Sequence, residues 1–198
     1  MPAHTEDDSN SSKHYRVCLS GKYGVGKSTL FRKVAGASST CGIAEYTYRV
    51  PNFSSEIRLI DTAGVERHSS LTLGNHYRGC SCIVFVYDVT DMETLHYITK
   101  EFESIQQRGH CDTNIKLAVL RNKIDQVEQV SKEMEISHLD SNEELKSRIC
   151  CIAETSGETG SGVDDFFRRK LMHLLEDLCP VGSPRLLPAE DREENCCV

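Results

Sequence analysis

The chain has 198 residues, 38% hydrophobic and 27% charged, which places it among ordinary soluble globular proteins with room for one domain and a sizeable core. Its 23 Lys and Arg against 30 Asp and Glu give a formal net charge of −7, which argues against a nucleic-acid or anionic-membrane footprint built on bulk charge. No apolar run reaches the roughly 18 residues that would span a bilayer, so the partners expected are small ligands and proteins.

Ten cysteines raise the question of disulfides, but the N-terminal MPAHTEDDSNSSKHY is polar and carries no apolar signal segment, so a reducing compartment is expected. The cysteine spacing lacks paired C-x-x-C motifs, which speaks against a zinc site. The eight cysteines upstream of the C-terminus read as buried small hydrophobes.

In chain order, residues 1–13 read as a disordered extension, and YRVCLS (15–20) as a short strand ending at Gly21. GKYGVGKSTLFRKVAG then forms a loop entering a short helix. After an irregular stretch, YTYRV (46–50) and EIRLI (56–60), separated by PNFSS, predict an antiparallel hairpin that feeds a second loop, DTAGVER. CIVFVYD (82–88) has the continuous apolar character of a strand buried on both faces. Leu95, Ile98, Phe102 and Ile105 recur at helical spacing from about Met92 to Gln107. IKLAVLR (115–121) and ICCIAE (149–154) predict two more buried strands, with helices from roughly Lys132 or Asn142 to Arg148 and from Val163 to Leu178. This alternation predicts an α/β fold: a mostly parallel central sheet with one antiparallel hairpin strand and helices on both faces. The domain is bounded at 14–179, and residues 180–198, rich in Pro and charge, read as a flexible tail.

Gly21 to Ser28 matches G-x-x-x-x-G-K-[ST] between a strand and a helix. Glycines there let successive N–H groups converge on phosphate oxygens at a helix N-terminus, Lys27 adds a point charge, and Ser28 can ligate Mg²⁺. A glycine-rich βα turn is the plain alternative. Asp61, at the end of its strand, is placed to hold the same Mg²⁺ from the opposite side. NKID (122–125) and ETSG (154–157) each leave a strand end, where Asp125 can accept hydrogen bonds from guanine N1–H and the 2-amino group. Adenine offers no such pair of donors.

In this order and spacing, GKYGVGKS, DTAG, NKID and ETSG resemble the Ras superfamily of small GTPases. HYRGC (76–80) followed by VYDVTD (86–91) is most similar to the Rab family. The resemblance implies a Ras-like P-loop NTPase domain that binds GDP and GTP with Mg²⁺, hydrolyses GTP, and acts as a switch in vesicle and membrane traffic. It implies effectors, an exchange factor and a GTPase-activating protein at two switch loops. It implies no nucleic acid, and a monomer is the default. Carried over by position, the nucleotide loop comprises Gly21, Tyr23, Gly24, Val25, Gly26, Lys27, Ser28 and Thr29, with Gly64 meeting the γ-phosphate through its N–H. Ser28, Thr40 and Asp61 fall at the metal positions. Asn122, Lys123, Asp125, Ser156 and Gly157 fall at the guanine positions, Lys27 also being catalytic.

Several positions depart from the family pattern. Val65 stands where a glutamine orients the attacking water, and it has neither donor nor acceptor, so slow hydrolysis is expected unless His68 or a partner positions the water. Tyr23 replaces a small residue and would crowd the γ-phosphate and an incoming arginine finger. Gly157 replaces an alanine that acts through its N–H, and Glu158 replaces a lysine whose stem stacks on the base. The interval from Ser28 to DTAG is short, which leaves Thr40 as the switch threonine, with Thr47 or no such ligand as alternatives. Cys196 and Cys197 resemble a Rab geranylgeranylation signal and do not fit C-a-a-X; two lipid chains would anchor the protein to the cytosolic face of a membrane. Two other functions remain open: a GTP-locked scaffold that recruits effectors, and, more distantly, a P-loop kinase acting on a small molecule, which NKID disfavours.

Overall fold

Alternate residues of the central strands point to opposite faces of one sheet, and this period-two alternation builds two separate cores. The computed structural model describes residues 14–36, 44–51, 53, 55–62, 77–109, 114–128, 138–139 and 142–178. Among them are strands β1 (His14–Ser20), β2 (Ala44–Arg49), β3 (Glu56–Asp61), β4 (Cys82–Asp88), β5 (Lys116–Asn122) and β6 (Ile149–Thr155). The helices are α1 (Lys27–Ala35), α2 (Met92–Gln107) and α3 (Glu143–Arg148). A final helical run, α4, is built from Val163–Asp165, a π-helical stretch Phe166–Lys170 and Leu171–Glu176.

The sheet order is β2-β3-β1-β4-β5-β6, with β2 antiparallel to β3 and every other pair parallel. On one face, Val17, Leu19, Val84 and Val86 pack with Leu30 and Phe31 of α1 and with Phe166, Phe167 and Leu171 of α4. On the other, Cys18, Ile83, Phe85 and Val119 pack with Leu95, Ile98 and Phe102 of α2. Covering both faces requires central strands apolar throughout, and all seven residues of β4 are buried. The expected α/β class, hairpin and two-sided helix cover are thus present.

Two expectations, a fully buried β6 and a buried Cys150, need correction. β6 is an edge strand rather than a fully buried one: its burial alternates, Ile152 is 37% exposed, and Cys150 faces solvent instead of acting as a buried hydrophobe. Cys18, Cys80 and Cys82 are buried as expected. The last helix contains a π turn, because its apolar residues come in the pairs Phe166/Phe167 and Leu171/Met172, five positions apart, and a wider turn aligns both pairs with the core. The short helix before β6 takes the later of its two expected starts, Asn142, whose side chain caps it by accepting from Leu145 N.

Candidate functional site

All four motif loops leave carboxyl ends of parallel strands, on one edge of the sheet. β1 ends at Ser20, and the chain turns through Gly21 to Gly26 into α1. Gly26 sits at φ 98°, and a Cβ there would stand 2.4 Å from Asn122 Nδ2, so conformation and space both demand glycine. α1 starts with no side-chain cap and no acidic residue in its first turn. Its opening N–H groups therefore present the positive end of the helix to the loop. Lys27 is only 3% exposed, and its Nζ donates to Gly21 O at 2.5 Å and Lys22 O at 3.0 Å. Those carbonyls draw the loop around the ammonium. Tyr23, at the apex, is 64% exposed.

Asn122 ties three loops together from a position 1% exposed. Its Nδ2 donates to Val25 O (2.8 Å) in the first loop, while its Oδ1 accepts from Thr155 Oγ1 (3.2 Å) and Gly157 N (3.1 Å) in the last. The Gly157 N–H, expected to face the base, is thus engaged with Asn122. Asn122 itself serves as a strut.

Lys123 adopts the left-handed conformation at φ 67°, unusual for a residue with a side chain. Its Nζ reaches Asp88 Oδ2, at the end of β4, at 2.7 Å. Burial alone would raise the Asp88 carboxyl, but hydrogen bonds from Lys123 and Thr90 outweigh it and hold the group below the usual carboxylate value. Asp125 Oδ1 accepts from Ser156 Oγ at 2.5 Å, and Ser156 Oγ in turn accepts from Thr159 N at 3.0 Å. A cavity of about 210 Å³ opens between these loops, lined by Gly26, Thr29, Asn122, Lys123, Asp125 and Gly157, with Glu158 on its wall. The structure therefore brings the first, third and fourth motifs together around one cavity.

Asp61 is 4% exposed, at the end of β3 beside β1. Thr62 Oγ1 donates to Leu19 O at 2.8 Å and pins that end. Ser28 lies in the first turn of α1, which packs on β3. A hydroxyl and a carboxylate are hard oxygen donors suited to Mg²⁺, and no group of three or more His, Cys, Asp or Glu placed to hold a metal occurs among the described residues. Thr47 is paired with Arg58 inside β2, within the sheet and not in a loop. Thr40, Gly64, Val65, His68, Cys196 and Cys197 lie outside the described residues.

Sequence reasoning missed Asp88, Thr155 and Ser20. Asp88 could have been found as a carboxylate at the end of a fully buried strand; the bond of Thr155 to Asn122 and that of Ser20 Oγ with the Tyr77 hydroxyl carry no local signal. A larger cavity of about 800 Å³, lined in part by Tyr15, Arg78, Ser81, Arg108 and Asp177, lies at the amino ends of β1 and β4, and none of the four nucleotide motifs reaches it.

The family model described as Ras family matches residues 16–176. The chain is 29% identical over 191 residues to Ras-related protein Rab-31 of Rattus norvegicus, covering 92% of this chain and 88% of that one. It is 31% identical over 185 residues to Ras-related protein Rab5 of Nicotiana tabacum, covering 89% and 88%. It is 30% identical over 164 residues to Ras-related protein Rab-31 of Mus musculus, covering 79% and 80%. The matched span contains every loop of the site, and the chain belongs to the Ras family as a small GTPase similar to the Rab proteins.

Proposed function

We propose that this GTPase is a Rab-like switch of membrane traffic that binds GDP and GTP with Mg²⁺ and hydrolyses GTP slowly. The observation that carries the reading is the Asn122 strut, which closes three loops around a cavity walled by Asp125. Asp125 selects guanine, its Oδ1 oriented by Ser156 and its remaining lone pairs facing the base. Lys27 and the first amides of α1 bind the β and γ phosphates. Ser28 and Asp61, with Thr40, hold Mg²⁺, which when bound neutralises charge between the phosphates.

Val65 cannot orient the attacking water, and Tyr23 at the loop apex obstructs the γ-phosphate side. Both favour a second reading, a GTP-locked scaffold that recruits effectors. The domain spans 14–179. Geranylgeranylation of Cys196 and Cys197 anchors it to a cytosolic membrane face, where effectors, an exchange factor and a GTPase-activating protein engage the switch loops.

The test is titration of full-length protein with fluorescent GDP and ADP. The wild type should bind GDP and ignore ADP. Asp125→Ala should weaken GDP by about a hundredfold or more, since charged hydrogen bonds of about 1.5–3 kcal/mol each are lost. Equal affinity for both nucleotides would refute the reading.

A further inference from the structure

Thr29 and Gly157 meet where α1 touches the loop after β6, on the wall of the 210 Å³ cavity. A Cβ placed on Gly157 would lie 3.1 Å from Thr29 Cγ2, 3.2 Å from Thr29 Cβ and 3.3 Å from Leu30 N. All three are inside the carbon contact distance of about 3.5–4.0 Å, and the last is helix backbone that cannot swing aside. Thr29 is also fixed at its other branch, where Oγ1 accepts from Arg32 Nη2 at 3.3 Å. Its methyl group therefore faces Gly157 while its hydroxyl faces Arg32. Because Gly157 N donates to Asn122 Oδ1, any displacement of Gly157 pulls on the strut that also holds Val25.

We propose that Thr29 is a positioning residue for base recognition: its methyl group fills the volume a side chain at 157 would need and so sets where the loop carrying Ser156 and Gly157 stands against α1. This rests on reading the cavity as the base site. Ser156 donates to Asp125, so the same contact sets the oxygen proposed to read guanine. Since α1 also begins at the phosphate loop, one van der Waals contact fixes the spacing between the base end and the phosphate end of the site. Thr29 acts through that loop and need not touch the base.

The test is a double-mutant cycle on full-length protein, read as the dissociation constant for fluorescent GDP, with thermal midpoints alongside. Gly157→Ala should weaken GDP about tenfold, as overpacking a tight contact does. Thr29→Ser, which keeps Oγ1 and removes the methyl group that sets the loop against α1, should weaken GDP by about threefold or more. Combined with Gly157→Ala, it relieves the closest of the three contacts, so the double variant should bind GDP more tightly than the two single losses added together predict. A role in stability alone would move the thermal midpoint and leave GDP affinity in place. Additive losses in the double variant, or tight GDP binding by Gly157→Ala, would overturn the proposal while wild-type binding keeps the nucleotide reading intact. Absence of GDP binding by the wild type would overturn both.

Discussion

Ser20 Oγ and the Tyr77 hydroxyl lie 2.8 Å apart, both residues 1% exposed, joining the strand that feeds the phosphate loop to the chain emerging from residues 63–76. The Tyr77 phenol donates to Glu101 Oε1 at 2.9 Å, so the Ser20 hydroxyl is the donor to Tyr77. Glu101 Oε2 also accepts from Tyr97 at 3.2 Å. Burial, reinforced by the Glu101 charge, pushes the Tyr77 phenol well above its usual value and keeps it a donor. Tyr77→Phe leaves the Ser20 hydroxyl without its acceptor and takes a donor from Glu101. It should destabilise the protein by about 1–3 kcal/mol in urea denaturation, and a loss below about 0.5 kcal/mol would show the network contributes little.

Asn122→Ala should separate three loops at once. GDP affinity is expected to fall by about a hundredfold or more, with a loss of about 2 kcal/mol or more in stability from the abandoned Val25 carbonyl and Gly157 amide. Asn122→Asp keeps the acceptor for Gly157 and sets a carboxylate oxygen against Val25 O. If the Val25 contact matters, this variant should bind GDP nearly as poorly, which a titration of both variants decides.

Asp88 makes stability depend on acid. Its folded value lies below the unfolded reference of about 3.9, so its contribution is complete above that reference and is lost as pH falls through the lower folded value. Asp88→Asn should therefore flatten the stability curve below about pH 4 and lower the plateau above it. Denaturant midpoints taken across that window measure this, and parallel curves for the two proteins would exclude the pair as the cause. Releasing Lys123 from Asp88 should also weaken GDP, because the left-handed turn loses its anchor.

Val65→Gln restores a group able to orient water and should raise single-turnover hydrolysis by at least about tenfold. Tyr23→Gly should add to that gain without loss of GDP affinity, since the Tyr23 ring stands at the exposed apex of its loop. Unchanged rates in both variants, and in the double variant, would clear these residues of the defect.

The fold was legible where burial speaks through pattern. β4 and α2 fall at their predicted bounds because an unbroken apolar run and a clean helical stripe have few alternatives. β6 misled because an apolar sequence does not reveal whether a second neighbour strand lies beside it, and ICCIAE ended at an edge. Among the candidate site residues, Lys27, Asn122, Asp125 and Ser156 were readable from motif spacing. Their partners were not: the contacts of Asn122 with Val25 and of Lys123 with Asp88 cross 97 and 35 positions respectively, and only the closed sheet brings them together.

The most direct measurement is to extract the nucleotide from purified full-length protein and follow the fate of added GTP with Mg²⁺ in a single turnover. The account predicts guanine nucleotide bound largely as GTP and decaying slowly. Rapid conversion to GDP would contradict the roles given to Val65 and Tyr23, and the absence of any guanine nucleotide would contradict the site built around Asn122 and Asp125.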